Sequence, residues 1–365
     1  MRPRAIHLIA AARPNFMKIA PLYHALRDEG WCRPLIVHTG QHYDPIMSDA
    51  FFQDLRLPAP DTHLGTGGAT HAEQTARVMI AYEQLCLAQR PDWVVVVGDV
   101  NSTMACAITA KKLELPVAHL EAGLRSGDRT MPEEINRLAT DAISDLLWTP
   151  SIDADENLLR EGHPPEQIVR VGNIMIDSYE LMKPAIEARH IASSLGLEAG
   201  AFGVVTLHRP SNVDNPDRLS SIIREISAAA RQLPLVFPIH PRTTKRLQEF
   251  GLQEALPSSL RLVPPLGYVD FMSLVGDAKV MITDSGGIQE ETTYLGIPCL
   301  TLRENTERPI TVTQGTNQLL RPEQLLERLR SILEHRSAVR PPPELWDGQT
   351  ARRIAASLKA HAIGE

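Results

Sequence analysis

Short runs of apolar residues alternate with longer amphipathic stretches along most of this chain. The short runs are bounded by Gly, Pro or Asp and have the length of strands, whereas the longer stretches follow a helical period. Buried strands are predicted at residues 5–10, 34–38, 93–97, 117–120 and 146–149, and helices at 17–29, 72–89, 102–113 and 133–144. This alternation predicts a parallel sheet with helices on both faces.

The alternation restarts after residue 172, which predicts a second α/β domain. Strands are predicted at 202–207, 235–239, 262–263, 279–283 and 298–302, and helices at 177–192, 217–232, 243–250, 268–275, 287–295 and 322–335. We place the domains at 1–172 and 173–344, and we expect a last helix at 348–362 to pack back on the first domain. Ligands of doubly wound domains bind at the carboxyl ends of strands, so a site is expected in a cleft between the domains.

Composition narrows the possible partners. The net charge of −7 over 365 residues argues against a nucleic-acid partner. The four cysteines are widely spaced among apolar neighbours, so reduced buried thiols are predicted instead of disulfides or a metal site. No segment approaches the ~20 apolar residues that span a bilayer, and the N-terminal run fits a strand better than a leader. We expect a cytoplasmic protein without a membrane partner.

The strand predicted at 279–283 is followed by Asp-Ser-Gly-Gly at 284–287 and by Glu-Glu at 290–291. Two glycines at a helix start let the backbone approach an anion closely, and a carboxylate one turn later suits the hydroxyls of a ribose. Simple helix capping explains one polar residue but not the pair of glycines with a carboxylate behind them. An anion-binding loop is therefore predicted here.

Cationic residues follow other predicted strands. Arg13 and Lys18 come after the first strand, His208 and Arg209 after the first strand of the second domain, and His240 after the next one. Arginine binds phosphates through paired hydrogen bonds, and a histidine at a strand end can stabilise or protonate a departing phosphate. A solvated pair of charges at a helix start explains Arg13 and Lys18 about equally well.

Three acidic positions belong to the first domain. Asp99 follows the strand at 93–97, Glu121 follows the strand at 117–120, and Glu133 lies at a helix start. Helix capping is the structural alternative for Asp99, and a favourable helix-start charge is the alternative for Glu133. We expect the three carboxylates to converge at one edge of the sheet, where like charges push pKa values apart as acid–base chemistry requires.

No metal or dinucleotide motif occurs: the chain lacks H-x-x-H, H-E-x-x-H, G-x-G-x-x-G and the P-loop pattern. Neither a metal nor a cofactor is therefore predicted. With carboxylates on the first domain and cations plus an anion-binding loop on the second, the pattern suits a nucleoside diphosphate that carries an attached reacting group.

Seven motifs in order between residues 5 and 320 carry a family resemblance. They are Arg13-Pro14 with Lys18, Gly98-Asp99, His119-Leu120-Glu121-Ala122-Gly123-Leu124-Arg125, Pro132-Glu133-Glu134 with Asn136-Arg137, Leu207-His208-Arg209, Asp284-Ser285-Gly286-Gly287 with Gln289-Glu290-Glu291, and Glu307-Arg308-Pro309. Together they resemble the signatures of the non-hydrolysing UDP-N-acetylglucosamine 2-epimerases. The resemblance implies two Rossmann-like doubly wound α/β domains facing a cleft, as in B-type glycosyltransferases, with a UDP-sugar substrate, no cofactor and a homodimer.

The resemblance also implies a reaction and roles for residues. UDP leaves the anomeric carbon as the C2 proton is removed, which gives a 2-acetamidoglucal, and UDP then re-adds with the proton returned to the opposite face. The implied catalytic groups are Asp99, Glu121, Glu133 and His208, with His208 supporting the departing diphosphate. The implied UDP-sugar contacts are Arg13, Lys18, Arg137, Ser285, Gly286, Gly287, Glu291 and Arg308. From their places after predicted strands, we add Arg209 and His240 to the substrate-binding residues. Which carboxylate is base and which is acid stays open.

Many bacterial members of this family carry a second, activating UDP-sugar site near residues 41–44 and 73–74. Asp44 and Glu73 are acidic where that subgroup has glutamine and arginine, and carboxylates repel phosphate. Weak or absent activation is therefore expected.

Several alternative functions stay open. Within enzymes they are a 2-epimerase of another UDP-sugar such as a 2,3-diacetamido uronic acid, a hydrolysing epimerase, and a UDP-sugar glycosyltransferase of the same fold. A non-catalytic nucleotide-sugar sensor is disfavoured, because added negative charge does not help to bind a dianion.

Overall fold

The computed structural model describes residues 2–40, 52, 54–68, 70–254, 256–335 and 340–363. The strands of the first half are β1 Arg4–Ala10, β2 Cys32–His38, β3 Thr62–His63, β4 Trp93–Val97, β5 Val117–Leu120, β6 Leu146–Thr149 and β7 Ile168–Arg170. The helices are α1 Arg13–Arg27, α2 His71–Ala88, α3 Asn101–Lys112, α4 Pro132–Ile143, α5 Ile152–Arg160 and α6 Ile174–Glu187. These strands form a parallel sheet in the order β3-β2-β1-β4-β5-β6-β7.

The second half repeats this plan. Its strands are β8 Gly203–Thr206, β9 Leu235–Pro238, β10 Leu260–Val263, β11 Val280–Thr283, β12 Cys299–Thr301 and β13 Asn317–Leu319, in the parallel order β10-β9-β8-β11-β12-β13. Its helices are α7 Ile191–Ser194, α8 Pro210–Val213, α9 Pro216–Ala230, α10 Pro241–Glu249, α11 Tyr268–Gly276, α12 Ile288–Leu295, α13 Ile310–Thr313 and α14 Leu325–Glu334, and a last helix, α15 Thr350–Ile363, follows.

Both sheets confirm the predicted doubly wound architecture. The order of the strands reverses between β1 and β4 in one sheet and between β8 and β11 in the other. The inner strands are apolar on both faces, and all five residues of β4 are buried, because helices cover each sheet on both sides. The reversal leaves a crevice at the carboxyl ends of the central strands, which is where such folds bind ligands.

The chain divides into two compact units, Met1–Met182 with Glu344–Glu365, and Lys183–Pro343. The boundary falls inside α6, beyond residue 172, because the start of α6 is tied to the first unit. The Ser178 hydroxyl donates to the Met17 carbonyl at 2.6 Å, and the Asp177 carboxylate accepts the N–H of Ala351 at 2.8 Å. Helix α15 packs in the first unit against α1.

Several elements were not predicted from the sequence. Strands β3 and β13 have two and three residues, too few to show a period. In α5 only Ala154 and Leu158 are buried, so its apolar stripe is narrow. The acidic residues of its exposed face obscure this stripe in the sequence.

Some absences hold for the part of the chain that the structure describes. No helix there has the length and apolar character needed to cross a membrane. Nor does that part bring three or more His, Cys, Asp or Glu side chains together as a metal site. All four cysteines are buried free thiols.

Candidate active site

The loop after β4 presents Asp99 against a buried arginine. The Asp99 carboxylate forms an ion pair with Arg137 of α4, and the side chain of Asp99 is 34% exposed whereas that of Arg137 is 3% exposed. Arg137 also binds Glu134 at 2.6 Å. Burial opposes ionisation of Glu134, but the N–H of Ser126 and the Arg137 guanidinium hold its pKa below the ordinary value. Glu134 therefore holds the Arg137 guanidinium in place, and the Asp99 carboxylate is the member of the Asp99–Arg137 pair that faces outward.

Glu121, directly after β5, forms a buried ion pair with Lys18 of α1. Glu121 has a left-handed backbone, with φ of +72°, which is costly for a residue with a side chain. Its Oε1 is buried without a hydrogen-bond partner among the described residues. Gly98 makes room for the pair, since a Cβ there would lie 3.2 Å from Lys18 Nζ. A strained, buried carboxylate with an unused oxygen is a candidate for binding or proton transfer.

Two asparagines hold this edge of the sheet together. Asn15 accepts the N–H of Ala12 at 3.0 Å and donates to the Val97 carbonyl at 3.0 Å, which ties the start of α1 to the end of β4. Asn136 donates to the Asp99 carbonyl at 2.9 Å. Sequence reasoning gave neither residue a role. Their signal was a polar side chain one to three positions from a candidate site residue.

Glu133 lies in the first turn of α4, one turn before Arg137, and is exposed. No partner for its carboxylate is found among the described residues. The structure therefore places Asp99 and Glu121 at neighbouring strand ends, each beside a cation. This arrangement differs from the three converging carboxylates that we expected. Arg13 begins α1, and its side chain lies outside the described part of the chain.

In the second unit Asp284 follows β11 and is fully buried beneath His208. Its carboxylate accepts the N–H of Arg209 at 2.9 Å and of His208 at 3.1 Å, and it pairs with His208 Nδ1 at 3.1 Å. Burial opposes ionisation of Asp284, but His208 and these N–H groups hold its pKa below the ordinary value. The His208 side chain is 43% exposed, so here the basic partner faces outward.

A cavity of about 200 Å³ opens at the carboxyl ends of β8, β9 and β11. Its polar wall includes His208, His240 and Ser285, and its apolar wall includes Leu266 and Phe271. The two imidazole rings have centroids 5.9 Å apart, and burial followed by the charge of His208 lowers the pKa of His240. An apolar wall beside a few polar groups suits a nucleotide base with its attached phosphates.

The loop at 284–287 leads directly into α12, with Gly287 as its N-cap. The first N–H groups of a helix have no partner within it and attract anions. Gln289 donates to the Ser285 carbonyl at 2.9 Å and accepts from Asn317 at 2.9 Å, which fixes the loop. A Cβ on Gly286 would meet the Glu307 carboxylate, so only glycine fits there.

Behind this loop, buried charges alternate in sign. Arg308 binds Glu307 at 2.6 Å and Glu290 at 2.9 Å, and Glu307 also binds Arg303 at 2.9 Å. Burial opposes ionisation of Glu307, but Arg308 and Arg303 hold its pKa far below the ordinary value. Arg308 is thereby held rigidly next to the glycine loop.

Glu291 is the buried carboxyl one turn into α12. Burial and then the charge of Glu290 raise its pKa to about 8, so it is mainly protonated at neutral pH. Tyr268 donates to its Oε1 at 3.2 Å, and its Oε2 is buried without a hydrogen-bond partner in the described residues. A protonated carboxyl both donates and accepts, which suits a pair of sugar hydroxyls.

The segment named for a second UDP-sugar site is only partly described. Residues 41–44 lie outside the described residues. Glu73 is exposed and pairs with Arg77, one turn later on α2. Gln74 is buried and accepts from Asn101 at 2.8 Å, so it contributes to the core.

These two sites define a class: an α/β enzyme in which one doubly wound unit presents carboxylates and the other presents an anion-binding loop. A family model described as UDP-N-acetylglucosamine 2-epimerase matches residues 24–359. The chain belongs to the UDP-N-acetylglucosamine 2-epimerase family.

Similar proteins support this membership. A UDP-N-acetylglucosamine 2-epimerase of Methanocaldococcus jannaschii is 40% identical over 97% of this chain and 98% of its own length. The crystal structure of UDP-GlcNAc 2-epimerase from that organism, in complex with UDP-GlcNAc and UDP, matches with a TM-score of 0.88 over 97% of this chain and 99% of that one, at 40% identity. A UDP-2,3-diacetamido-2,3-dideoxy-D-glucuronate 2-epimerase of Pseudomonas aeruginosa is 38% identical over 96% of this chain and 98% of its length.

Proposed function

We propose that this chain interconverts UDP-N-acetylglucosamine and UDP-N-acetylmannosamine by inverting C2. The observation that carries the proposal is Glu121, a strained and buried carboxylate with an oxygen left without a partner at a strand end. Pure binding of an anionic nucleotide gains nothing from such a group, whereas proton transfer requires one. The Methanocaldococcus jannaschii protein, named for this reaction and crystallised with UDP-GlcNAc and UDP, supports the choice of substrate.

In the proposed reaction a carboxylate of the first unit takes the proton from C2. The electron pair of that C–H bond forms the C1=C2 bond of a 2-acetamidoglucal, and the C1–O bond to UDP breaks with its electrons leaving on UDP. UDP oxygen then attacks C1, and a protonated acid gives its proton to the other face of C2. The two faces require two proton carriers, and we assign them among Asp99, Glu121 and Glu133.

The second unit holds the diphosphate in this proposal. His208, oriented by Asp284, donates from Nε2 to the leaving phosphate oxygen when its ring is protonated. Glu291 faces the ribose hydroxyls. The remaining contacts with the UDP-sugar are assigned to Arg13, Lys18, Arg137, Arg209, His240, Ser285, Gly286, Gly287 and Arg308. Electrostatic stabilisation of the developing charge on the diphosphate is the main contribution of these groups.

The test is incubation of the protein with UDP-N-acetylglucosamine in D2O, followed by NMR. We expect deuterium at C2 together with a growing signal from the manno epimer, while UDP remains attached. Free N-acetylmannosamine and UDP would instead indicate a hydrolysing epimerase. Transfer of the sugar to an acceptor without C2 exchange would replace the proposal with a glycosyltransferase.

A second candidate substrate is a UDP-2,3-diacetamido uronic acid, because the similar Pseudomonas aeruginosa protein is named for such a sugar. The same D2O assay with both sugars at equal concentration decides between them. We expect faster exchange with UDP-N-acetylglucosamine, and a clear preference for the uronic acid would reassign the substrate.

The proposal extends to a homodimer in the cytoplasm that supplies activated amino sugars for cell-surface polysaccharide. It also includes the absence of an activating UDP-sugar site, since Glu73 adds a carboxylate that is paired with Arg77. Sedimentation should give twice the monomer mass, and substrate titration should give hyperbolic kinetics. Marked sigmoidality would contradict the assignment of Asp44 and Glu73.

A further inference from the structure

His119 is a fully buried histidine in β5, two residues before Glu121. Its Nε2 lies 2.9 Å from the carbonyl oxygen of Gly98, and its Nδ1 lies 2.6 Å from Asp141 Oδ1. A carbonyl oxygen only accepts, and an ionised carboxylate only accepts, so the ring donates from both nitrogens. The ring therefore links the loop after β4 to helix α4.

Asp141 receives two further contacts that keep it ionised. Its Oδ2 accepts the N–H of Gly123 at 3.0 Å and pairs with Arg125 at 2.8 Å. Burial opposes ionisation of Asp141, but His119, Arg125 and the Gly123 N–H hold its pKa below the ordinary value. One buried carboxylate thus holds residues on both sides of Glu121.

Both candidate acids of the first unit depend on this link. His119 fixes the carbonyl of Gly98, the residue directly before Asp99, while Arg137 holds the Asp99 side chain from α4. Asp141 and Arg137 are one turn apart on that helix. Glu121 lies between His119 and Gly123, and both of these residues bind Asp141. The residue between these two anchored positions, Glu121, is the one with a left-handed φ.

We propose that His119 and Asp141 are positioning residues for the C2 chemistry. They hold the Asp99 and Glu121 carboxylates in fixed positions relative to each other. This inference rests on the proposed function. The decisive contact is the hydrogen bond from His119 Nε2 to the Gly98 carbonyl, because it is the one that reaches the Asp99 loop. If His119 served stability alone, loss of the Nε2 contact and loss of the Nδ1 contact would lower kcat to the same extent.

The experiment compares His119→Gln with His119→Asn. The glutamine amide nitrogen reaches about as far as Nε2 and retains the donor to Gly98, whereas the asparagine amide nitrogen corresponds to Nδ1 and retains only the bond to Asp141. We expect His119→Asn to lower kcat for C2 exchange about 10²-fold, since small misplacements of acid–base groups cost that much. For His119→Gln we expect a loss of about tenfold or less. KM and the Kd for UDP should stay near the wild-type values in both.

His7 provides the matched control. It is also buried in a strand of this sheet, and its Nδ1 lies 3.1 Å from the Tyr82 hydroxyl, away from the carboxyl ends. His7→Asn and His7→Gln should lower Tm while leaving kcat unchanged. Equal kcat losses in the two His119 variants, in proportion to their losses of Tm, would overturn the proposal.

A second pair keeps the test decisive if the His119 variants do not fold. Asp141→Asn can turn its amide so that its oxygen accepts the N–H of Gly123 and its nitrogen donates to His119 Nδ1, while Nε2–H still donates to the Gly98 carbonyl. We expect it to retain kcat within about tenfold, and Asp141→Ala to lose about 10²-fold at unchanged UDP affinity. Equal loss in both would again overturn the proposal. C2 exchange by the wild-type protein in the same assay tests the proposed function. Failure of that function is therefore distinguishable from failure of the positioning proposal.

Discussion

Each unit pairs an acidic side chain with a basic one, but the two units bury opposite members of the pair. In the first unit Arg137 is buried and its partner Asp99 faces outward, whereas in the second unit Asp284 is buried and its partner His208 faces outward. Both pairs lie at the carboxyl end of a central strand. The first unit thus presents an acid at its surface, and the second unit presents a base.

This contrast shows how a fold can place acids in one site and cations in another without accumulating charge. Removing one member of a buried pair leaves the other uncompensated, which typically costs about 3–5 kcal/mol. In Asp99–Arg137 and Asp284–His208 the buried member holds its partner in place, and the outward member is the one more accessible for chemistry. Substitutions of outward members should change catalysis or binding more than folding, and those of buried members should change both.

The largest effect is expected for the acids of the first unit. Glu121→Gln should lower C2 exchange by about 10²–10⁴-fold, because a group that transfers protons is lost, while UDP affinity stays nearly unchanged. Exchange is measured by NMR in D2O and UDP affinity by calorimetry. Asp145→Asn is the matched control, since Asp145 pairs with Lys111 at 2.6 Å next to the amino end of β6. A similar loss of exchange in Asp145→Asn would attribute the effect to folding.

The next effect belongs to His208, the outward histidine of the second unit. His208→Gln should lower kcat by about 10²-fold and weaken UDP binding only modestly, because the leaving phosphate loses its donor. Asp284 retains the N–H of Arg209 at 2.9 Å, so the loop keeps its shape. Steady-state kinetics check this, with His335→Gln on the exposed end of α14 as control. Unchanged kcat would remove His208 from the mechanism.

The glycine loop should affect binding more than chemistry. A Cβ on Gly287 meets nothing within 4 Å and its φ is −60°, so Gly287→Ala should keep or slightly raise Tm. If phosphate approaches this backbone, the same methyl group should weaken UDP binding. Gly286→Ala should lower both Tm and UDP affinity, because its Cβ meets Glu307. Unchanged UDP affinity in Gly287→Ala would place the diphosphate elsewhere.

The smallest effect concerns Glu291 and pH. Its pKa is raised to about 8 by burial and by Glu290, so the stability that its neutral form provides is fully present below the ordinary pKa near 4.5 and is lost as pH rises through about 8. Glu291→Gln cannot ionise. Its Tm relative to wild type should therefore increase between pH 5 and pH 9. A Tm difference independent of pH would show that Glu291 is not held protonated.

Much of this architecture was predictable from the sequence. Each inner strand is a short apolar run ending at a polar residue, and the position of Asp99 or Glu121 at a strand end follows from that pattern alone. The partners were not predictable, because Lys18 and Glu121 are distant in sequence and meet only in the folded sheet. The left-handed backbone of Glu121 also has no local signal, since that conformation is imposed by tertiary contacts.

The division between the units is tested most directly by measuring Glu121→Gln and Gly287→Ala side by side in two assays, C2 exchange at saturating UDP-N-acetylglucosamine and the Kd for UDP. We predict a crossed result: Glu121→Gln loses exchange and keeps UDP affinity, whereas Gly287→Ala loses UDP affinity and keeps exchange at saturation. Parallel losses of exchange and affinity in both variants would contradict the account.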